Sequence, residues 1–169
     1  KVQGYRPPAY WESIALVRER VRLPVIANGD IWSVPDALRC REVTGCAALM
    51  LGRGLVRRPG LARAIRMREA GHPVGVPGGD PAVAAWPWRQ VVPLLAAFWA
   101  DVCARVERRH RAGRLKQWLN YLRVAYPEAQ QAFDELRVVN EAEAINTWVL
   151  RIQEHSAQIH QATTFDCAA

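Results

Sequence analysis

Two short stretches of this 169-residue chain end an apolar run on residues suited to holding an anion. The first runs from Pro24 through Val25, Ile26 and Ala27 to Asn28, Gly29 and Asp30. The second runs from Ala47 to Leu51 and ends in Gly52, Arg53 and Gly54. Aliphatic residues that stop on small, turn-forming ones read as buried strands ending at a working edge. Gly29 and Gly52 let the backbone approach a phosphate where a side chain would stand in the way. Their amides, with the start of a following helix, can donate to it, and Arg53 can add a bidentate charged contact. Asp30 would repel a phosphate, so a ligand hydroxyl or a backbone amide is its natural partner. A single Gly-x-Gly is a common βα turn, and it is the pairing of the two ends that carries the phosphate reading.

A second group of residues is basic. The net charge is +7, and its distribution says more than its sum. Residues 1–70 hold 13 Lys/Arg against 6 Asp/Glu, and residues 71–169 hold 10 against 10. Within the second part Arg105, Arg108, Arg109, Arg111, Arg114, Lys116 and Arg123 crowd together, with Glu107 the one acid among them. A segregated basic stripe suits a polyanion such as RNA. An ordinary solvated helix face remains the alternative on charge alone. Trp118 and Tyr121 could stack on a base, but their helical spacing favours core packing, as it does for Trp86, Trp88, Trp99 and Trp148.

The elements that position these residues follow from periodicity. Residues 9–21 place Ile14, Val17 and Val21 on one helical face. The strand Pro24–Asn28 follows, then a helix with Ser33 as N-cap, Pro35 in its first turn and Gly45 as stop. A second strand spans Ala47–Leu51, and a further helix runs from Pro59 to about Glu69. Strand starts about 22 residues apart, with helices between, are the rhythm of βα units on a parallel sheet. In a βα-barrel both strand ends would open on one face, where the last two loops commonly hold phosphate. Residues 71–87 carry four Gly and four Pro, a density that predicts a linker without regular structure. Helices follow to about residue 155. The first should begin near Val91, because of Pro93. The next follows Gly113, another follows Tyr126, and the last has an Asn140 N-cap with Glu143 completing a capping box. Residues 156–169 give no clear signal.

Composition narrows the function classes. Half the residues are hydrophobic, so a packed core is expected and global disorder is not. No apolar run is long enough to span a bilayer, and no metal-ligand spacing is present. Cys40, Cys46, Cys103 and Cys167 form no C-x-x-C pair and read as reduced thiols of a cytoplasmic protein. His72, His110, His155 and His160 make no metal or triad constellation. The chain opens on Lys1 without a leader, which reads as a chain cut from something longer.

The stretches "PVIANGDI" and "GCAALMLGRG" resemble the end of the flavin-binding barrel of tRNA-dihydrouridine synthases, and "KVQGYR" fits the segment after that family's His-x-Arg-Thr motif. "RLKQWLNYLRVAYPEAQQAFDELRVVN" is similar to the helical RNA-binding domain of the C-type subfamily, which reduces uridine 16 of the tRNA D-loop. The resemblance covers roughly residues 1–68 and 87–145. It implies that Asn28, Gly29 and Asp30 contact the flavin mononucleotide (FMN), with Gly52 and Arg53 at its phosphate end. It also implies that Arg114, Lys116 and Arg137 grip the tRNA backbone, where phosphate contacts position an RNA and splayed bases specify it. The family's proton-donor cysteine, a flavin-contacting lysine and the motif histidine belong upstream of Lys1, so no catalytic residue is assigned here.

The expected fold is α/β plus all-α: the last βα units of a flavin-binding TIM barrel, then a C-terminal helical bundle. The expected domains are the barrel end at 1–70, the linker at 71–87, a tRNA-binding helical domain at 88–155 and a tail at 156–169. Two of eight strands cannot close a barrel, so the first part should need partners beyond itself. The parent activity would be reduction of a tRNA uridine with FMN and NADPH, in the cytoplasm and without metal, and the chain alone should be inactive. Two rivals stay open. One is a flavin barrel acting on a small molecule, and the other is a non-catalytic RNA-binding remnant.

Overall fold

The computed structural model describes residues 8–73 and 79–166, with side chains described to residue 158. The chain divides into two compact units, residues 1–86 and 87–169.

The first unit runs α1 (Trp11–Arg20), β1 (Ile26–Asn28), α2 (Val34–Thr44), β2 (Ala48–Met50), α3 (Arg53–Arg57), α4 (Leu61–Glu69) and α5 (Pro81–Ala85). β1 and β2 pair in parallel, in register Ile26 with Ala48, Ala27 with Leu49 and Asn28 with Met50. α2 is bounded as its sequence signals require. Ser33 Oγ accepts from the Asp36 amide at 3.2 Å, and Pro35 sits in the first turn. At the far end Gly45 takes the left-handed conformation at φ 64° and donates to the Arg41 carbonyl.

The core of this unit gathers Ala27, Ile31, Val34, Ala37, Cys40, Leu61, Ala64 and Ile65. Ala27 is fully buried on the helix side of the sheet, whereas Ile26 and Met50 are each 55% exposed. Parallel strands are ordinarily covered on both faces. Here α-helices cover one, and the two expected buried strands are correspondingly half open.

Three expectations are corrected in this unit. α1 does not bury Val17 and Val21, which are 53% and 41% exposed. Its inward residues are instead Trp11 and Ile14, at i and i+3, with the exposed Arg18 reaching across to the end of α2. Trp11 and Ile14 pack on the core, Trp11 Nε1 donates to the Gly29 carbonyl, and Arg18 Nε donates to that of Thr44. The helix expected from Pro59 is preceded by the separate single-turn α3. Finally, the Gly/Pro-rich stretch does hold a regular element. Asp80 caps α5 by accepting from the Ala82 amide at 2.9 Å and is ion-paired with Arg58. Residues 74–78 of that stretch lie outside the described residues.

The second unit is helical: α6 (Trp88–Arg105), α7 (Arg108–Leu122), α8 (Pro127–Leu136) and α9 (Ala142–Asp166). Its buried residues recur at helical spacing. They are Val91, Leu95, Trp99 and Val102 on α6, Ala112, Leu115, Leu119 and Leu122 on α7, Ala129, Ala132 and Leu136 on α8, and Ile145, Trp148 and Val149 on α9. Trp118 packs edge-on against Phe98 with centroids 4.9 Å apart.

Boundaries differ from expectation at four places. α6 begins at Trp88 with Pro93 inside it, and the Arg89 carbonyl that Pro93 cannot satisfy faces Ser156 Oγ at 3.5 Å. The break falls at the extended Val106 rather than at Gly113, which lies within α7. α9 starts at Ala142 without the Asn140–Glu143 box. The Asn140 amide donates to Glu141 Oε2, and its side-chain oxygen takes Lys116. α9 also continues to Asp166, through the stretch left unassigned from sequence.

Candidate functional site

At the end of β1 the backbone turns sharply. Gly29 has φ 124° and Asp30 has φ 46°, the latter a left-handed conformation that aspartate tolerates better than most residues. A Cβ on Gly29 would lie 2.7 Å from that of Ala9, so the glycine admits the chain's own segment at this point. Asp30 Oδ2 accepts from the Ala9 amide at 2.8 Å, which is one of the two partners its chemistry favours. Asn28 Nδ2 lies 3.5 Å from Met50 Sδ on the exposed side of the strand pair.

At the end of β2 the two glycines differ. A Cβ on Gly54 would run into the Ile31 carbonyl oxygen, whereas one on Gly52 would meet none of the described residues within 4 Å. Gly54 therefore serves packing, and Gly52 faces open space beside Arg53. The Arg53 side chain is 58% exposed, and its Nη2 lies 3.7 Å from Asp30 Oδ1. The fold thus joins Asp30 and Arg53 from two strand ends far apart in sequence.

Three neighbours were not assigned from sequence. The guanidiniums of Arg53 and Arg57 lie over the Trp32 ring, 5.2 and 4.4 Å from its centroid. Arg58 Nη1 reaches the Trp32 carbonyl at 3.4 Å. The spacing of Arg57, four residues after Arg53 on one helix, was the available signal. Nothing in the sequence pattern marked Trp32.

In the second unit the basic stripe is laced with acids. Arg105 pairs with Asp101 at 3.3 Å, Arg108 with Glu143 at 3.6 Å and Arg109 with Glu107 at 3.0 Å. Arg111 Nε donates to the Val106 carbonyl, and the Arg123 guanidinium lies over Phe133. Exposed ion pairs of this kind add about 0–1 kcal/mol each and exchange readily. Lys116 is held differently. Its Nζ donates to the Arg137 carbonyl at 3.0 Å and to Asn140 Oδ1 at 2.9 Å, setting a cation on the C-terminus of α8. Lys116 and Arg137 are thereby neighbours, while Arg114 and Arg137 both stand exposed.

Cys40 and Cys46 are buried. Burial, followed by the neighbouring Cys46, pushes the Cys40 thiol above its ordinary range, so it is a packing residue rather than a nucleophile. Cys167 and the side chain of His160 lie outside the described residues. Among the described residues no group of three or more His, Cys, Asp or Glu could hold a metal ion, and no helix is long and apolar enough to cross a membrane.

Residues 1–86 match the family described as Dihydrouridine synthase (Dus). The chain is similar to tRNA-dihydrouridine(16) synthases of several bacteria. It is 45% identical to that of Aquipseudomonas alcaligenes over 146 residues, 86% of this chain and 44% of the relative. It is 46% identical to that of Pseudomonas syringae pv. tomato over 137 residues, 81% of this chain and 40% of the relative. With that of Shewanella oneidensis the identity is 39% over 158 residues, 94% of this chain and 46% of the relative. The chain thus spans less than half the length of these relatives.

Proposed function

We propose that this chain, which belongs to the dihydrouridine synthase family, is the C-terminal part of a tRNA-dihydrouridine synthase. The enzyme would reduce a D-loop uridine of tRNA, the one at position 16 as in the named relatives, to 5,6-dihydrouridine with FMN and NADPH, in the cytoplasm. The observation that carries the reading is the meeting of Asp30 and Arg53 at the ends of two parallel strands, beside the open backbone of Gly52.

This end fits a phosphorylated flavin. Among the described residues Gly52 has no neighbour where a side chain would stand, and the exposed Arg53 can make a bidentate contact with phosphate oxygens. The Asp30 carboxylate, anchored through Oδ2, keeps acceptor capacity on Oδ1 for a ligand hydroxyl. Asn28 offers an amide on the uncovered side of the sheet. The uncovered apolar face of Ile26 and Met50 suits the interior of a barrel whose other strands come from the rest of the enzyme. When bound, reduced FMN supplies the hydride that saturates the uracil ring. Arg114 and Arg137 would contact tRNA phosphates, with Lys116 fixing the α8 end beside them.

On this reading the chain alone reduces no uridine. Cys40 and Cys46, the cysteines of the first unit, are buried, so neither is a free proton donor at the strand ends. Incubating the chain with unmodified tRNA, FMN and NADPH should yield no dihydrouridine, whereas the full-length protein should yield it. Absence of activity from the full-length protein would sink the proposal.

A further inference from the structure

Two donors from the segment that leads into α1 close on consecutive residues at the end of β1. The Ala9 amide donates to Asp30 Oδ2 and Trp11 Nε1 donates to the Gly29 carbonyl, each at 2.8 Å. The same segment lies directly against Gly29, where a Cβ would come 2.7 Å from that of Ala9. Both residues held in this way have positive φ, 124° for Gly29 and 46° for Asp30. A left-handed aspartate persists where its surroundings over-determine it, and the two bonds supply that restraint. Trp11 is itself fixed, because its ring packs on the core of the first unit. Asp30 is left with Oδ1, which stands 3.7 Å from Arg53 Nη2. That is too far for a direct hydrogen bond, so Oδ1 can accept from a ligand donor.

We propose that Trp11 is a positioning residue for the polyol chain of the flavin. Its indole N–H, by holding the Gly29 carbonyl, sets the left-handed turn that presents Asp30 Oδ1 to a ligand hydroxyl. Gly29 is taken up by the chain's own segment, so the phosphate falls to Gly52 and Arg53. A turn held before the ligand arrives needs less ordering when the ligand binds. Without the indole N–H the Gly29 peptide is free to rotate and Asp30 turns with it. The hydroxyl contact then weakens although nothing that touches the ligand has been replaced. The inference rests on the flavin reading given above.

The test compares riboflavin with lumiflavin, which has the same ring but a methyl group in place of the polyol chain. Binding is read by quenching of flavin fluorescence on the flavin-stripped full-length protein. Trp11→Phe keeps an aromatic ring on the core and removes only the donor. It should weaken riboflavin binding about three- to tenfold, the scale of one lost hydrogen bond, and leave lumiflavin binding within about twofold. Equal losses for both flavins would mean that Trp11 only supports the fold, and unchanged riboflavin binding would mean that its N–H does nothing for the turn. A wild-type protein that binds lumiflavin as tightly as riboflavin would mean that the polyol is not held. Each of these overturns the inference while leaving the flavin site standing. If Trp11→Phe does not fold, or lumiflavin binds too weakly to compare, solvent exchange of the indole hydrogens in the wild-type protein decides. Riboflavin should slow exchange at Trp11 but not at Trp99, whose Nε1 donates to Asn146 Oδ1 in the second unit. No slowing at Trp11, or equal slowing at both, overturns the inference. A wild-type protein that binds neither flavin would refute the flavin reading itself, and the inference with it.

Discussion

Arg53 and its two flanking glycines separate cleanly by role. Arg53→Ala removes the charged contact proposed for the phosphate while leaving no buried group unpaired. FMN affinity should fall by about tenfold or more, the scale of a lost charge-assisted hydrogen bond, with thermal stability nearly unchanged in differential scanning fluorimetry. Gly54→Ala should do the reverse, because its Cβ would strike the Ile31 carbonyl. Overpacking of this kind costs about 1–3 kcal/mol, visible as a lowered denaturation midpoint. Cys40 makes a pH prediction. Its folded-state pKa is raised, chiefly by burial. Its contribution is therefore fully present below the thiol's ordinary value of 9.0 and is lost as pH rises beyond it. Urea unfolding from pH 7 to 10 should show stability declining above about pH 9, and Cys40→Ser should flatten that decline.

At the scale of elements, α7 holds a glycine that nothing requires. Gly113 lies inside the helix, and a Cβ there would meet none of the described residues within 4 Å. Gly113→Ala should stabilise the chain by about 0.5–1 kcal/mol through the helix propensity difference, raising the melting temperature. The same residue explains a misplaced boundary. Glycine is a common stop signal, but α6 ends instead where Val106 turns extended and the Arg111 side chain caps the Val106 carbonyl. Capping by a side chain five residues away leaves no trace in a local pattern. Ser33, Pro35 and Gly45 were legible around α2 because there every partner is local: the serine oxygen bonds within its own first turn, and the glycine returns to a carbonyl of its own last turn.

For the whole molecule, the property to test is its net charge of +7. If Arg114 and Arg137 contact tRNA phosphates, tRNA affinity of the full-length protein should fall steeply as salt rises. The double variant Arg114→Glu, Arg137→Glu should weaken binding and make the salt slope shallower, read by filter binding or anisotropy. Lys116 is unsuitable for that test, because its amine holds the end of α8. A wild-type affinity indifferent to salt would argue against an RNA partner and favour a small-molecule substrate.

The sequence by itself determined the alternation of helix and strand in the first unit, the helical character of the second, the two glycine-marked strand ends and the family. The first three rest on short-range periodicity or on residue types whose chemistry is intrinsic, and the family rests on the resemblance of whole stretches such as PVIANGDI and GCAALMLGRG. Only the tertiary structure decided what those residues touch. It assigned Gly54 rather than Gly52 to packing, turned α1 onto Trp11, engaged Lys116 at a helix end and brought Trp32 under two arginines. All of these depend on which surfaces meet across tens of residues. That is a matter of three-dimensional packing and mutual charge, and local spacing along a chain carries no record of it.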